Sequence, residues 1–149
     1  MATPPIGEGY RGVDGNTGYL LRQAWHTFRG ALDSALREHN LSGPQYAVLS
    51  VLGRDPRLSG ADLARAYNTT PQAMNGVLAT LEREGMVART PHPTHGRILL
   101  ASLTPEGQKR LEGATPSVRE LERAIERDLG ASELATVKTW LVETARRLA

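Results

Sequence analysis

Two closely spaced helix starts constrain this chain more than any other feature of its sequence. Residues 59–62 read Ser-Gly-Ala-Asp, a capping serine three residues before an acid, which predicts a short helix over 61–67. The Thr-Pro pair at 70–71 supplies a cap and a first-turn proline for a second helix over 71–84. The short connection over 68–70 has the spacing of a helix-turn-helix.

The periodicity of the sequence changes after the second of these helices. Gly85 supplies the left-handed position that ends a helix, and residues 86–90 and 97–103 are short runs compatible with β-strands. The intervening residues 91–96 include two prolines and a glycine, which predict a loop. A hairpin placed directly behind a helix-turn-helix is a wing. We therefore expect a mainly α fold with a small β-hairpin wing.

Long amphipathic segments flank this central lobe on both sides. The apolar residues of the segment 17–39 recur at helical spacing, at Leu21, Trp25, Phe28, Leu32 and Ala35. The Thr-Pro pair at 104–105 starts a further long helix toward Asp128, and a last helix follows Gly130. These apolar stripes are larger than a lone lobe of this size needs, so we expect a twofold homodimer.

The same patterns divide the chain into regions. Residues 1–17 are rich in Gly, Pro and Thr and predict a flexible N-terminal arm without the pattern of a signal peptide. Residues 18–149 are expected to form a single domain, in which 42–104 is the winged helix-turn-helix lobe and 18–41 and 105–149 are dimerisation helices. No apolar run approaches the roughly 18 residues of a membrane span, so we expect a cytoplasmic protein with no membrane partner.

Composition excludes several classes of function. The chain contains no cysteine, which removes disulfides, thiolate nucleophiles and thiol-based redox sensing. It has no nucleophile elbow, no phosphate-binding loop and no H-E-x-x-H motif, so we expect neither an enzyme nor a bound cofactor. The net charge of +2 comes from residues 42–104, where six arginines outnumber four acids. This small excess permits a polyanionic partner without requiring one.

Three segments together resemble one known family. Residues 63–72 (LARAYNTTPQ), 78–89 (LATLEREGMVAR) and 103–107 (LTPEG) are similar to the MarR (multiple antibiotic resistance regulator) family of winged helix-turn-helix transcription regulators. With the long terminal helices, the resemblance covers nearly the whole chain. It implies a sequence-specific DNA-binding regulator, commonly a repressor, that binds a palindromic operator in double-stranded DNA as a homodimer. A small aromatic or anionic effector would release or modulate it.

The resemblance assigns base reading to the helix over 71–84, whose N-terminal end would enter the major groove. The candidates there are Thr70, Gln72, Ala73, Asn75 and Gly76. Amide side chains can bond an adenine edge, and threonine offers a hydroxyl or a methyl group. The alternative for Gln72 and Asn75 is a solvated polar face. Gly76 stands where family members often carry a basic residue, so we expect modest groove affinity from this helix.

The wing supplies the second set of candidate DNA contacts. Arg97 fits the minor groove, because narrow A·T-rich grooves attract a guanidinium group. The family usually has an acid two residues before this arginine, and here His95 occupies that position and is itself a candidate contact. The further candidates, expected at phosphates, are Arg89 and Thr94 with the helix starts at Ser42 and Ser59.

The resemblance also implies an effector crevice between the dimerisation helices and the lobe. Its candidate residues are Arg22, Trp25, His26, Arg29 and Tyr46. They combine an apolar floor with cationic edges, as a pocket for an organic anion requires. For Trp25 and Phe28, simple core packing is the stronger alternative.

Two other functions stay open at this point. The low net charge and Gly76 are compatible with a winged-helix protein that pairs with another protein, or binds DNA without sequence preference. A metal-responsive regulator is a weaker alternative, based on His92 and His95 in the wing. No cysteine and no nearby carboxylate completes a tetrahedral set in that loop, so we assign no metal ligand.

Overall fold

A computed structural model of the chain describes residues 2–149 and confirms the predicted fold class. After a single 3-10 turn over Gly9–Arg11, the elements are α1 (Thr17–Arg37), α2 (Gly43–Arg54), β1 (Leu58–Ser59), α3 (Gly60–Ala66), α4 (Pro71–Arg83), β2 (Val87–Pro91), β3 (Leu99–Leu103), α5 (Pro105–Ile125) and α6 (Ala131–Leu148). Across these residues, no helix is both long and apolar enough to cross a membrane.

Local capping chemistry starts four of the helices where the sequence predicts it. The caps of α2, α3, α4 and α5 are Ser42, Ser59, Thr70 and Thr104, and each side-chain oxygen accepts a hydrogen bond from the backbone N–H three residues later. These bonds satisfy donors that the first turn of a helix otherwise leaves unpaired. Helix α4 ends before Gly85, whose φ of +75° confirms the predicted left-handed position.

The three strands form an antiparallel sheet in the order β1-β3-β2. Val87 pairs with Leu103 and Pro91 with Leu99, which makes β2 and β3 the expected wing hairpin. The strand β1, where Leu58 pairs with Ala101, was not predicted, because two residues are too short to show an alternating pattern. The predicted strand over 97–103 is two residues too long, since Arg97 and Ile98 belong to the wing loop.

The buried core lies in the winged helix-turn-helix lobe. Its largest fully buried side chains come from α1–α4, β2 and the α4–β2 connection, and they are Leu36, Leu49, Leu63, Met74, Leu78, Leu81, Met86, Val48 and Val87. Helix α5 joins this core through Leu111 and Ala114. In contrast, α6 has no buried residue, and Trp140 and Leu141 are 42% and 46% exposed. The C-terminal helix therefore presents an apolar face that its own chain does not cover.

The N-terminal segment packs along the start of α1. Arg11 donates from Nε to Oε1 of Gln23 (3.1 Å), and Gln23 donates from Nε2 to the carbonyl of Arg11 (3.1 Å). The rings of Tyr10 and Tyr19 meet edge to face, with centroids 5.7 Å apart. The predicted flexibility of this arm stays a prediction about its motion, while its conformation here is a turn docked on α1.

Two glycines of α5 give a matched test of the packing of this helix on the lobe. A Cβ at the buried Gly107 would lie 2.0 Å from the carbonyl oxygen of Met86, whereas a Cβ at Gly113 would meet nothing within 4 Å. We expect Gly107→Ala to lower the free energy of unfolding by about 1–3 kcal/mol through overpacking. Gly113→Ala should raise it by about 0.5–1 kcal/mol, because alanine favours the helix.

Urea unfolding of both variants at one protein concentration makes the comparison, since subunit association would make stability depend on concentration. Equal effects of the two substitutions would contradict the close contact between α5 and the α4–β2 connection.

Candidate nucleic-acid interface

Helix α4 divides cleanly into a buried and an exposed face. Met74, Leu78 and Leu81 are each 0% exposed and anchor the helix in the core. All five candidates at the N-terminal end of the helix, Thr70, Gln72, Ala73, Asn75 and Gly76, lie exposed on the surface. The structure therefore brings these candidates together as one patch of the lobe. Their contact with bases stays a prediction.

This exposed face of α4 has low relief. A Cβ at Gly76 would meet nothing within 4 Å, so the helix surface is open there. The amide oxygen of Asn75 lies close to the start of α3, 3.2 Å from the position of a Cβ on Gly60. Among the exposed candidates, Gln72 has the longest polar side chain. A backbone or base edge can approach the helix closely at Gly76.

The wing loop has a closed conformation that exposes its tip. The N–H of His92 donates to the carbonyl of Ile98, and the N–H of Ile98 donates to the carbonyl of His95, both at 2.8 Å. Thr94, His95 and Arg97 are exposed. Within residues 2–149, Arg97 has no ion-pair partner, so its guanidinium is available to an external anion.

Arg89 differs from Arg97 in that it is already paired. Its Nε lies 2.8 Å from Oε2 of Glu82 in the last turns of α4, and the Arg89 side chain is only 22% exposed. This bond ties β2 to α4, and the carboxylate offsets the arginine charge. A phosphate contact at Arg89 would therefore have to use its remaining N–H groups. Sequence reasoning missed this pair, because the two residues lie on either side of the turn at Gly85.

The two candidate serines have different hydrogen-bonding states. Ser42 Oγ accepts from the N–H of Gln45 (3.3 Å), and no acceptor in the described chain takes its hydroxyl proton. Ser59 Oγ accepts from the N–H of Asp62 and donates to Asp62 Oδ2 at 2.6 Å. Hydrogen bonds from the hydroxyl and the N–H of Ser59, together with the nearby Arg65, lower the pKa of the Asp62 carboxyl. The carboxylate beside Ser59 disfavours a phosphate there, and Asp33, whose Oδ1 lies 3.4 Å from the position of a Cβ on Gly43, stands near the helix start at Ser42 as well.

The five effector candidates do not form one pocket in this protomer. Arg22 and His26 line a cavity of about 210 Å³ together with Arg11, Tyr19, Gln23 and Thr27. Trp25 is 54% exposed and packs beside Phe28. Tyr46 lies elsewhere, where its hydroxyl is 3.4 Å from Thr115 Oγ1. Sequence reasoning missed Arg11, because only the folded-back N-terminal segment brings it to this cavity, and it missed Tyr19, although Tyr19 lies on α1 one turn before Arg22.

A second, apolar cavity of about 380 Å³ lies between α1 and α5. Its lining residues are Ile6, Gln23, Ala24, Thr27, Phe28, Ala31, Leu121 and Ile125.

The wing histidines have imidazole centroids 5.2 Å apart. The part of the chain that the structure describes contains no group of three or more His, Asp or Glu residues placed to hold a metal ion.

Comparison with known proteins agrees with this architecture. The family model described as MarR family matches residues 39–98. The HTH-type transcriptional repressor Rv2887 of Mycobacterium tuberculosis is 37% identical over 128 residues, which are 86% of this chain and 92% of the relative. A crystal structure of Rv2887 in complex with p-aminosalicylic acid superposes with a TM-score of 0.68 at 34% identity, over 87% of this chain and 98% of that one.

A second curated relative is the homoprotocatechuate degradative operon repressor of Escherichia coli. It is 30% identical over 108 residues, which are 72% of this chain and 73% of the relative. Together, the winged lobe, the exposed end of α4 and these likenesses define a winged helix-turn-helix transcription regulator. The chain belongs to the MarR family.

The lowered pKa of Asp62 has a consequence for stability that depends on pH. A carboxyl that is more acidic in the folded state stabilises the fold above its unfolded pKa, and this contribution is lost as the pH falls through the folded value. We expect Asp62→Asn to lower stability by about 0.3–1 kcal/mol at neutral pH, a small value because the site is exposed to solvent. Urea midpoints of the wild type and the variant should converge toward pH 3. A difference that is unchanged at that pH would contradict the assignment.

Proposed function

We propose that this protein regulates transcription by binding a palindromic operator as a homodimer, and that it acts as a repressor. The observation that carries the proposal is that one lobe exposes both the N-terminal end of α4 and a wing whose Arg97 has no ion-pair partner among the described residues. The name of the mycobacterial relative, a transcriptional repressor, supports the direction of control. Because operator DNA is its ligand, the proposed place of action is the cytoplasm, and we assign it no catalytic step.

In this proposal the chain is one domain in which different residues contact DNA and form the dimer. Residues 42–104 contact DNA, with Gln72 and Asn75 at base edges and Ser42, Thr94 and His95 near phosphates. The flanking residues 18–41 and 105–149 form the dimer. A twofold axis between two such lobes would set the recognition helices about 34–36 Å apart, one turn of DNA.

Arg97→Ala tests the role of the wing. We expect it to weaken binding to a palindromic duplex by about 1–3 kcal/mol, the value typical of a specific arginine contact. The control is Arg97→Lys, which keeps the charge but not the planar guanidinium. The Arg97→Lys variant should retain binding to unrelated DNA and should lose the preference for the palindromic duplex over unrelated DNA. Fluorescence anisotropy at fixed salt measures both, and an unchanged affinity of Arg97→Ala would remove the wing from the account.

The homodimer is proposed from surfaces that the single chain leaves uncovered. Helix α6 exposes Val137, Trp140 and Leu141, by 39%, 42% and 46%. The apolar cavity between α1 and α5, bordered by Phe28 and Ile125, has no occupant from its own chain. We propose that the terminal helices of a second copy cover these surfaces, since exposed apolar patches mark association sites.

Truncation after Leu129 tests this dimer. We expect a monomeric or poorly soluble product, because the loss of α6 would leave the cavity between α1 and α5 open to water. In the full chain, Trp140→Glu should shift the light-scattering mass toward the monomer, while Thr139→Glu, at the neighbouring exposed position, should not. A stable dimer from the truncated chain would show that α6 is dispensable.

For the effector, we propose an aromatic carboxylate bound at the cavity that Arg22 and His26 line. The cavity brings Arg11, Arg22 and His26 beside the ring of Tyr19, and no acid lies among its lining residues. The related Rv2887 was crystallised in complex with p-aminosalicylic acid, which is such a molecule. Cationic edges around an aromatic wall match a ligand that has an anionic end and an apolar ring.

Titration of p-aminosalicylate against the protein–DNA complex tests this site. Arg22→Gln should raise the concentration needed for DNA release by about tenfold or more, the effect of losing one charged hydrogen bond. Arg29→Gln is the matched control, because Arg29 lies on the same helix outside the cavity lining. Equal responses of the two variants, or no release from the wild type, would contradict the assignment.

One observation favours a second candidate function, DNA binding without sequence preference. The exposed face of α4 includes Ala73, Gly76 and Ala79, which offer few hydrogen-bonding groups to base edges. Binding of that kind would depend on phosphate contacts and would weaken steeply with salt.

A further inference from the structure

The wing loop contains a histidine that the DNA-binding account has not used. Nδ1 of His92 accepts hydrogen bonds from the backbone N–H groups of Thr94 and His95, both at 3.1 Å. The side chain thus binds donors two and three residues later, as Asn and Asp side chains do in turns and at helix starts. His92 is partly buried, whereas the residues it organises are exposed.

The same residue also closes the loop through its backbone. Its N–H donates to the carbonyl of Ile98, and the N–H of Ile98 donates to the carbonyl of His95. Four residues, His92, Thr94, His95 and Ile98, are therefore held by one short network, and Arg97 lies in the chain between the last two. The network fixes the backbone on either side of Arg97, and no ion pair with a described residue holds its guanidinium.

We propose that His92 is a positioning residue for DNA recognition, and that its unprotonated Nδ1 holds the wing tip in the conformation that presents Arg97. The inference rests on the proposed DNA-binding function. Only an imidazole whose Nδ1 lone pair is free can accept these bonds, so the proton of the neutral ring must sit on Nε2. A proton on Nδ1 removes the acceptor and releases both backbone donors.

The surroundings of His92 make its protonation a local event. His95 is the titratable group beside it, with ring centroids 5.2 Å apart, and Arg97 is the other charged residue of the loop. The flanking strand ends, Pro91 and Leu99, do not titrate. In the described chain, no carboxylate forms an ion pair with either histidine. Because both hydrogen bonds need the unprotonated Nδ1, the network is lost when the imidazole takes up a second proton, and an acidic buffer tests this.

Three variants separate positioning from charge. His92→Asn retains a short side-chain acceptor that does not titrate, and His92→Ala removes it. Both substitutions are made in a parent protein that carries His95→Asn and retains His92. The parent is the reference, because it removes the imidazole of residue 95 from the comparison. The probe is a palindromic duplex that the wild type recovers from random DNA, and anisotropy is measured between about pH 8 and pH 5.5 at constant salt.

At about pH 8 we expect His92→Ala to lose about tenfold in affinity, and His92→Asn to stay within about threefold of its parent. As the pH falls, the parent with His92 should approach the alanine variant while the asparagine variant changes little. Equal binding by the alanine variant and its parent, or equal losses in both variants, would overturn the proposal. So would a gain in affinity at low pH that needs His92, because it would show a cationic phosphate contact instead.

A measurement without DNA keeps this inference distinct from the proposed function. Long-range proton–nitrogen NMR of the wild-type protein should show the Nε2–H tautomer of His92 at about pH 8, with the amides of Thr94 and His95 shifting as the ring titrates. The Nδ1–H tautomer would overturn the proposal even if DNA binding is normal. If no duplex is recovered, the DNA-binding function fails, and the tautomer still decides whether His92 organises the loop.

Discussion

The burial of one face of α4 is the constraint on which the rest of the structure depends. Met74, Leu78 and Leu81 are completely excluded from solvent, and they fix the helix against α2 and α3. Because a helix is a rigid cylinder, burying this face determines which residues point outward at its N-terminal end. The cap at Thr70 and the left-handed Gly85 limit the length of the helix, and Gly85 leads directly into the wing. The recognition helix α4 and the wing are thus both positioned by the same buried core of the lobe.

The two cationic residues of the wing divide between structure and recognition. Arg89 forms an ion pair with Glu82, which joins β2 to the end of α4. Arg97 lies at the free end of the same hairpin, in a loop organised by His92. The end of the wing next to α4 is held by the ion pair of Arg89 with Glu82, and its tip is held by hydrogen bonds to the imidazole of His92. Any adjustment of the wing is therefore expected at the tip, since hydrogen bonds to one neutral imidazole are lost more easily than a strand pairing.

Sequence reasoning predicted the helix starts well, because capping residues act on backbone groups within three positions of themselves. The same locality explains the correct prediction of Gly85 and of the hairpin. The missed features all join distant parts of the chain or need atomic detail: the strand β1 against β3, the pair of Glu82 with Arg89, and the docking of Arg11 beside Arg22. The contacts that candidate residues make with DNA and effector stay predictions, since they depend on molecules other than this chain.

The flanking helices complete the account only when a second copy is considered. The apolar residues of α1 and α6 were expected to need a partner. Many of them are exposed in the single chain, and the bulkiest of these side chains are Trp25 and Trp140. A lobe that reads one half-site gains specificity when its copy reads the other, because the operator then has to match both in sequence and spacing.

The most direct test of the central claim is to recover fragments from a pool of random or genomic DNA with the purified full chain, at about 50 mM and about 200 mM salt, and to sequence them. The account predicts a palindromic motif with half-sites about one helical turn apart that persists at the higher salt. Recovery of fragments without a shared motif, lost as the salt rises, would contradict sequence-specific regulation and favour binding through the phosphate backbone alone.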